Sequence, residues 1–464
     1  MLNRKPFEMA GDEPGEQKLK RSLTAFDLTI LGVGAVIGAG IFVIAGEGAQ
    51  LAGPGIMLSF VLVGIACLAA ALCYAELASM IPTAGSAYAY TYHTLGEFPA
   101  WMIGWFLVLE YTVASAAVAS GWSGYFTKLI GSVGIVLPDS LTHSPMDPVT
   151  PGIINLPAAA IALIVTGMLI FGIRENARLN AAFVILKIGV LLAFIFIALP
   201  NVNPDNWQPF MPFGIGGVIA GGALIFFAYI GFDAVATTAE EAKNPQRDLP
   251  IGIIGSLLIC TIFYIVVAAV MTGIVPFQQL ADPAPLAKAL SLINKGQWAA
   301  LISFGAIFGL SSVIMVLMMG MPRIWFAMSR DGLLPPLFAK VHPKYQTPWI
   351  ATIINGVAVA LITGLLRLKE IAEMTNIGTL TAFIIVAIGV VVLRYRNPEL
   401  KRGFRAPFLP LVAILTVIPC GAMMAKLNPH TWMYFGVWAL IGVAFYMGYG
   451  FKHSKLAQTG GTNP

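Results

Sequence analysis

Four glycines lie within eleven residues of the first long apolar run, in the stretch GVGAVIGAGIF (Gly32–Phe42). Glycine costs about 1 kcal/mol relative to alanine in a helix interior, so this stretch weakens its own helix. If the helix unwinds around Gly38–Gly40, peptide N–H and C=O groups lose their helical partners and must meet a cavity or a ligand. The half-helix that begins near Ile41 would then present free amides and partial positive charge, which suit a carboxylate.

A second stretch of this kind, FFAYIGFDAVATTAEE (Phe226–Glu241), places Gly231 beside Asp233 among β-branched residues. Carbonyls freed at two such breaks would suit an ammonium group. A zwitterionic amino acid carries both charges about one Cα apart, so the two stretches together favour recognition of a free amino acid. Taken alone, Gly34-x-x-x-Gly38 is equally typical of close packing between two membrane helices.

Twelve apolar runs must position these groups. The 464-residue chain is 58% hydrophobic and 11% charged, whereas a soluble globular protein carries about 25% charged residues. About 20 apolar residues cross a hydrocarbon core as a helix, and continuously apolar runs exclude an alternating β-barrel. The sequence predicts an all-α integral membrane protein with twelve transmembrane helices. The predicted spans are about 28–51, 56–80, 98–127, 153–171, 180–199, 214–238, 250–275, 298–328, 348–366, 371–394, 408–426 and 431–451.

Basic residues set the predicted orientation. Nineteen of the 27 Lys and Arg residues fall in segments on the same side as the N-terminus, and six fall on the other side. Basic residues concentrate in cytoplasmic segments, so both termini are predicted to be cytoplasmic in a multi-pass plasma (inner) membrane protein. This placement explains the net charge of +5 without a nucleic acid partner.

The two glycine-interrupted runs are the first and the sixth. Paired interrupted spans in corresponding places indicate two halves of inverted topology. The predicted organisation is an N-terminal cytoplasmic segment, a first five-helix repeat, a second five-helix repeat, and two further helices with a cytoplasmic tail. These units cover residues 1–27, 28–199, 200–396 and 397–464, respectively.

Long motifs resemble the amino acid–polyamine–organocation superfamily of transporters: GAVIGAGIF (Gly34–Phe42), FFAYIGFDAVATTAEEAKNPQRDLP (Phe226–Pro250) and MPRIWFAMSRDGLLP (Met321–Pro335). LEYTVASAAVASGWSGY (Leu109–Tyr125) and NAAFVILKIGV (Asn180–Val190) look like its cationic amino acid transporter family. The resemblance spans essentially the whole chain. It implies a five-plus-five inverted repeat with discontinuous helices 1 and 6, two additional helices, alternating access and L-amino acid transport.

Carried over by position, the family's carboxylate site falls on the amides of Gly38, Ala39 and Gly40. Its ammonium site falls on the carbonyls of Val36, Phe227 and Ile230, and Phe227 aligns with an aromatic residue that closes over the substrate. The full set of predicted substrate-binding residues is Val36, Ile37, Gly38, Ala39, Gly40, Ile41, Phe227, Ala228, Ile230, Asp233, Leu317, Met318 and Met321.

Three apolar residues of the eighth run are expected to face the substrate side chain: Leu317, Met318 and Met321. Methionine adapts to irregular space, and no unpaired acid stands ready for a guanidinium. This favours neutral amino acids of small or moderate size, although the family's name suggests cationic ones. Packing within the membrane core is the alternative role of the methionines.

Lys187 lies in the middle of an apolar run, where a charged group needs a partner or a purpose. In proton-coupled members resembling this chain, a lysine amine takes the place of the sodium ion that links the first and eighth spans in sodium-coupled relatives. The hypothesis is that Lys187 gains and loses the driving proton. A snorkelling or structurally paired lysine is the alternative.

Three acids complete the candidates. Glu110 is assigned to proton coupling or to a structural hydrogen bond, and Asp233 to the break of the sixth run. Glu76 is predicted to join an inner gate or loop contact. The run AEEAKNPQRDLP (Ala239–Pro250) is either a solvated helix exit or part of a network of ion pairs that holds the inner gate shut, alongside Arg323, Arg330 and Asp331.

An enzyme is not expected. The five histidines lie in loops or near span ends, and there is no HExxH, no phosphate-binding glycine loop and no Cys/His cluster at metal-ligand spacing. All four cysteines fall in apolar runs, so no disulfide framework is expected. The prediction is a proton-coupled symporter without metal or cofactor, in contact with membrane lipids. An exchanger or a non-transporting sensor stays an alternative, and a small accessory membrane protein stays an open partner.

Overall fold

The computed structural model describes residues 23–80, 86–147, 150–172, 177–232, 235, 242–400 and 402–455. Within these ranges the chain is helical and forms no β-strand, apart from one isolated parallel bridge between Leu23 and Ala242. The main helices of the described ranges are α1 (Ala25–Val36), α2 (Ala45–Ala52), α3 (Ile56–Met80), α4 (Ser86–Thr94), α5 (Glu97–Ser132), α6 (Leu156–Ile170), α7 (Ala177–Ala198), α8 (Gly214–Ile225), α9 (Pro245–Ile274), α10 (Pro285–Leu292), α11 (Gly296–Arg330), α12 (Trp349–Leu365), α13 (Leu368–Arg396), α14 (Leu409–Met424) and α15 (Pro429–Phe445).

The helices lie where the apolar runs predicted them. In the part of the chain that the structure describes, seven helical segments are long and apolar enough to cross a membrane, and one of these, Ala25–Met80, contains α1, α2 and α3. Four shorter apolar helices fall on the remaining runs, namely α6, α8 with its continuation to Tyr229, α12 and α14. The protein is therefore a multi-pass membrane protein.

Two short helices, α4 and α10, were not predicted. Each lies between apolar runs and has only eight or nine residues. Hydrophobic periodicity over so few residues cannot distinguish a helix from a loop.

Local sequence fixes where α1 begins. Thr24 and Asp27 form a capping box, in which the Thr24 side chain accepts from the Asp27 amide at 3.3 Å and the Asp27 carboxylate accepts from the Thr24 amide at 2.9 Å. The Leu23 carbonyl accepts from the Lys243 amide at 2.8 Å. The start of α1 is thereby tied to the start of α9, against which α1 packs.

The helices around the molecular centre form two packing groups. One group joins α1, α2, α3, α8 and α9. The other joins α5, α6, α11 and α12. All four cysteines are buried and free, as expected from their place in apolar runs.

Candidate functional site

The first predicted interruption is present. Helix α1 ends at Val36, and Ile37 is extended with ψ of 98°. The chain re-enters helical geometry through a π-helical turn, Gly40–Ile44, which leads into α2. Short π-helical turns are rare and occur frequently at functional sites.

Backbone amides are left over at this interruption. Among the described contacts, the first amide beyond the break that donates to a backbone carbonyl is that of Phe42, which bonds to Gly38 at 3.3 Å. The first amides of a helical segment have no carbonyl one turn earlier to bond. The backbone amides of Gly38, Ala39 and Gly40 are therefore available to donate hydrogen bonds into the space at the break.

The second predicted interruption is also present. Helix α8 ends at Ile225 and tightens into a 3₁₀ turn, Phe226–Tyr229, after which Ile230 is extended with ψ of 135°. Gly231 follows with φ of +114°, a conformation that side-chain-bearing residues rarely adopt. A Cβ at Gly231 would also lie 2.9 Å from the Ala35 carbonyl oxygen, so the second break abuts the end of α1.

The two interruptions touch at Gly40. A Cβ built on Gly40 would overlap Cα, Cβ and the amide nitrogen of Ala228. These are backbone atoms or atoms held directly by the backbone, so a side chain at position 40 would have to separate the two segments. Gly40 thus permits a contact that gives both breaks one common cavity.

Tyr264 of α9 bridges the two interruptions. Its side chain is fully buried, and its hydroxyl lies 2.7 Å from the Val36 carbonyl oxygen and 2.8 Å from that of Ala228. A hydroxyl carries one hydrogen, so the two carbonyls share it. Sequence reasoning missed this residue, although a tyrosine within an apolar run is a signal that a hydroxyl has a polar partner.

Asn376 of α13 stabilises the end of α8 in a similar way. Its side-chain amide donates to the carbonyls of Ala223 and Leu224 at 2.7 and 2.9 Å. The residue is fully buried. The sequence analysis missed it as well.

Lys187 lies between α1 and α11. Its Nζ donates to the Gly34 carbonyl at 2.7 Å, and the side chain is only 1% exposed. In an unbroken helix the Gly34 carbonyl would accept from the Gly38 amide, so Lys187 supplies the donor that the break removes. A Cβ at Gly309 of α11 would lie 2.9 Å from Lys187 Cγ, which places the aliphatic chain directly against α11.

Two small adjoining cavities lie at the interruptions. We call one boundary the backbone wall: Ala35, Val36, Gly38, Ala39, Gly40, Phe227, Ile230 and Gly231, from the two broken segments. We call the opposite boundary the side-chain wall: Tyr111, Ala114 and Val118 of α5 with Val313, Val316 and Leu317 of α11. Among the described residues, no Asp, Glu, Lys, Arg or His side chain lines either cavity.

The predicted substrate-binding residues divide into those that line the cavities and those that lie behind them. The lining residues are Val36, Gly38, Ala39, Gly40, Phe227, Ile230 and Leu317. Ile37, Ile41, Ala228, Met318 and Met321 are buried but line neither cavity. Asp233 lies outside the described residues.

Helix geometry explains the result on α11. Residues three and four apart share a face, so Val313 lies in line with Val316 and Leu317, whereas Met318 is turned about 100° away from Leu317. Met321 shares the Leu317 side of the helix but lies one turn beyond the lining residues. Val313, Val316 and Tyr111 were missed. A count of four residues back from Leu317 could have found Val313, and three residues on from Val313 is Val316. Glu110 is buried beside Tyr111 but does not line the cavities.

Charged clusters lie away from the cavities. Glu76 accepts from Arg394 and Arg402, the latter at 3.2 Å, and from the Ala406 amide at 2.8 Å. This agrees with the loop contact expected of Glu76. Lys128 of α5 pairs with Asp282 at 2.5 Å.

Other residues of the predicted inner network are only partly described. Residues 239–241 of AEEAKNPQRDLP lie outside the described ranges. Asp331 accepts from the Tyr88 hydroxyl at 2.7 Å. Burial first, and then the nearby Asp331 carboxylate, raise the pKa of Tyr88, so this hydroxyl stays protonated and donates.

The sequence matches the amino acid permease family over residues 23–445. A branched-chain amino acid permease, BcaP, of Bacillus subtilis (strain 168) is 50% identical over 446 residues, which cover 96% of each chain. A methylthioribose transporter of the same organism is 46% identical over 98% of this chain and 99% of the relative. The vacuolar cationic amino acid transporter 2 of Arabidopsis thaliana is 40% identical over 86% of this chain and 64% of the relative. These relatives are named as permeases and transporters, not as enzymes.

Proposed function

This chain belongs to the amino acid permease family, and we propose that it is a secondary active transporter that takes up L-amino acids across the plasma membrane. The observation that carries the proposal is the meeting of two helix interruptions at one cavity. The amides of Gly38, Ala39 and Gly40 suit the substrate carboxylate, and carbonyls of the same wall suit its ammonium group. Both charges would be bound by the backbone without any lining ionic side chain.

We propose neutral, branched aliphatic amino acids as the substrate class. The side-chain wall offers aliphatic groups and one tyrosine ring, which suit a leucine, isoleucine or valine side chain. A lysine or arginine substrate would bury a second positive charge against this wall without a carboxylate, which is unfavourable. The 50% identity to a protein named as a branched-chain amino acid permease supports the same choice.

Methylthioribose is the second candidate substrate. A relative of nearly equal similarity, aligned over almost its whole length, is named for it. Methylthioribose carries no carboxylate or ammonium group, so it would use the backbone wall only through hydroxyl groups. The geometry therefore favours an amino acid.

We propose that Lys187 couples transport to protons. Its ammonium bonds to a carbonyl that is freed by the first interruption, and its aliphatic chain lies on α11. A proton lost from Lys187 would weaken this link between the two packing groups. Protonation would restore it, so the charge on Lys187 would depend on the position of α1 relative to α11.

We further propose twelve membrane-crossing helices, arranged as two inverted five-helix repeats with two added helices. Support comes from the match between the twelve apolar runs and the observed helices. The five-span spacing of the two interruptions supports the repeat. Alternating access would then be a movement of the α1–α3, α8 and α9 group against the α5, α6, α11 and α12 group.

Transport by the purified protein tests the proposal. Full-length protein in liposomes is expected to accumulate radiolabelled L-leucine when the outside is acidic, and to lose this accumulation when a protonophore collapses the pH gradient. Leucine–leucine exchange that never becomes net accumulation would identify an exchanger. Binding without uptake would identify a sensor, and uptake of methylthioribose but not leucine would overturn the amino acid assignment.

Replacement of Lys187 tests the coupling. Lys187→Met keeps an unbranched side chain but removes the amine, so it is expected to exchange leucine across the membrane without concentrating it under a pH gradient. Lys426→Met, which replaces an exposed lysine, is the matched control and should accumulate leucine normally. Accumulation by Lys187→Met equal to that of the parent would place proton coupling elsewhere.

A further inference from the structure

Helix α11 contains a proline, Pro322, in its interior. Proline has no amide hydrogen, so the carbonyl four residues earlier, that of Met318, cannot accept a bond within the helix. Met318 is fully buried. At membrane depth an unmet carbonyl is strongly unfavourable, so the Met318 carbonyl needs a hydrogen-bond donor from outside α11.

Asn355 of α12 supplies this donor. Its side chain is fully buried, and its Nδ2 lies 3.4 Å from the Met318 carbonyl oxygen, a long hydrogen bond. Its Oδ1 lies 2.9 Å from the hydroxyl of Thr112 on α5, whose single hydrogen is shared with the Val108 carbonyl at 2.8 Å. Because the Met318 carbonyl can only accept, the amide must keep Nδ2 on that side. One side chain therefore joins three helices.

These three helices include both that form the side-chain wall. Met318 is adjacent in sequence to Leu317, and Thr112 is adjacent to Tyr111; Leu317 and Tyr111 line the cavity. The two helices also meet at Gly320, where a Cβ would lie 2.6 Å from Tyr111 Cε1. The position of the Tyr111 ring relative to Leu317 thus depends on how α11 and α5 are aligned.

We propose that Asn355 is a positioning residue that fixes the side-chain wall by replacing the hydrogen-bond donor that Pro322 removes from α11. The inference rests on the proposed function, in which this wall receives the substrate side chain. Without the amide, the Met318 carbonyl loses its donor and α11 is free to shift relative to α5. A branched side chain that fills the cavity is more sensitive to this shift than the methyl group of alanine.

Replacing Pro322 by alanine restores an amide hydrogen at position 322, which should make Asn355 dispensable. The proposal can be tested in this way. Leucine and alanine uptake is measured for the parent, Asn355→Leu, Pro322→Ala and the double variant in proteoliposomes. With Pro322 present, Asn355→Leu is expected to raise the KM for leucine about 5-fold, with less effect on alanine and on kcat. In the Pro322→Ala background, where the restored amide can bond to Met318, the same change should alter the leucine KM less than about 2-fold.

An equal fold-change in both backgrounds would overturn the proposal, because the amide would then act independently of the proline. Asn201→Leu, at an exposed asparagine, controls for the substitution itself. If Asn355→Leu does not yield folded protein while Asn355→Leu/Pro322→Ala does, that rescue supports the proposal in terms of stability.

Thr112→Val provides a second route, because it removes the bond that orients Asn355 without touching α11 or α12. It is expected to raise the leucine KM about 2-fold, and a leucine KM equal to that of the parent would count against the proposal. Failure of the parent protein to transport leucine would be a failure of the proposed function. If the parent protein transports leucine and the effects of Asn355→Leu and Pro322→Ala on the leucine KM are additive, only this inference fails.

Discussion

The two walls of the cavity are built in different ways. The backbone wall comes from helices that glycines interrupt, and its polar groups are peptide amides and carbonyls. The side-chain wall comes from α5 and α11, which continue past the cavity as helices of 36 and 35 residues. Even at Pro322, α11 stays continuous, and Asn355 meets the carbonyl that is released.

This difference suggests that the two walls have different roles, one in binding the groups common to all amino acids and one in selecting the side chain. In the proposed site, peptide groups bind the carboxylate and ammonium groups that all free amino acids share. Side chains on continuous helices can vary without disturbing that contact, so they can set which substrate side chain is accepted. Changes to the backbone wall should therefore affect all substrates alike, whereas changes to the side-chain wall should alter their ranking.

The largest effect is expected from Gly40→Ala. The added methyl group would overlap the backbone of Ala228 and separate the two interruptions. Displacement of a binding site by about 1 Å costs on the order of 100-fold, and leucine and alanine uptake should both fall by this amount. Initial rates in proteoliposomes measure the change.

Gly421→Ala in α14 is the control, because a Cβ there has no neighbour within 4 Å. It should transport normally. Near-normal uptake by Gly40→Ala would show that the two breaks do not need this close contact.

Leu317→Ala should change the ranking of substrates. Leu317 lines both cavities, and its truncation removes apolar contact with a branched substrate. We expect kcat/KM for leucine to fall about 10-fold while that for alanine changes little. A parallel fall for both amino acids would place Leu317 outside the side-chain wall.

Tyr264→Phe should lower the uptake of all substrates alike, in contrast to Leu317→Ala. It removes the hydroxyl shared by the Val36 and Ala228 carbonyls but keeps the ring. A hydrogen bond contributes about 1 kcal/mol, so kcat/KM should fall about 5-fold for every substrate tested. A selective loss for leucine alone would contradict a role of Tyr264 in supporting the backbone wall.

The smallest effect is expected from Gly38→Ala. A Cβ at this position would lie 3.0 Å from Cγ2 of Val313, so the valine must move by a few tenths of an ångström. Because the added methyl group displaces Val313 of the side-chain wall, this variant is an exception to the pattern for the backbone wall: uptake should fall about 2- to 3-fold, with leucine affected more than alanine. A loss as large as that of Gly40→Ala would show that position 38 tolerates no side chain.

Sequence patterns predicted the apolar helices and the two helix interruptions, for physical reasons. Apolar runs of about 20 residues have few alternatives in a membrane. Glycines at 38, 40 and 231 mark places where the chain leaves helical geometry or approaches other backbone. The burial of Lys187 between two helices also follows from the cost of a charge in an apolar run.

The side-chain wall was predicted less well. Met318 and Met321 were chosen by type, but Met318 is rotated away from the cavity and Met321 lies one turn beyond it on α11. Tyr264, Asn355 and Asn376 act on carbonyls of other helices. Which helix an isolated polar residue faces depends on tertiary packing, and one sequence does not contain that information.

Competition for leucine uptake tests the central claim most directly. Radiolabelled L-leucine is offered to proteoliposomes together with unlabelled leucine, leucinamide, 4-methylpentanoate or methylthioribose. Leucinamide lacks the carboxylate, 4-methylpentanoate lacks the ammonium group, and methylthioribose lacks both. We predict that leucine competes and that each of the other three compounds competes at least about 100-fold more weakly, because a site built for polar groups rejects ligands that lack them. Competition by any of these three compounds within a few-fold of leucine would contradict recognition through the two interruptions.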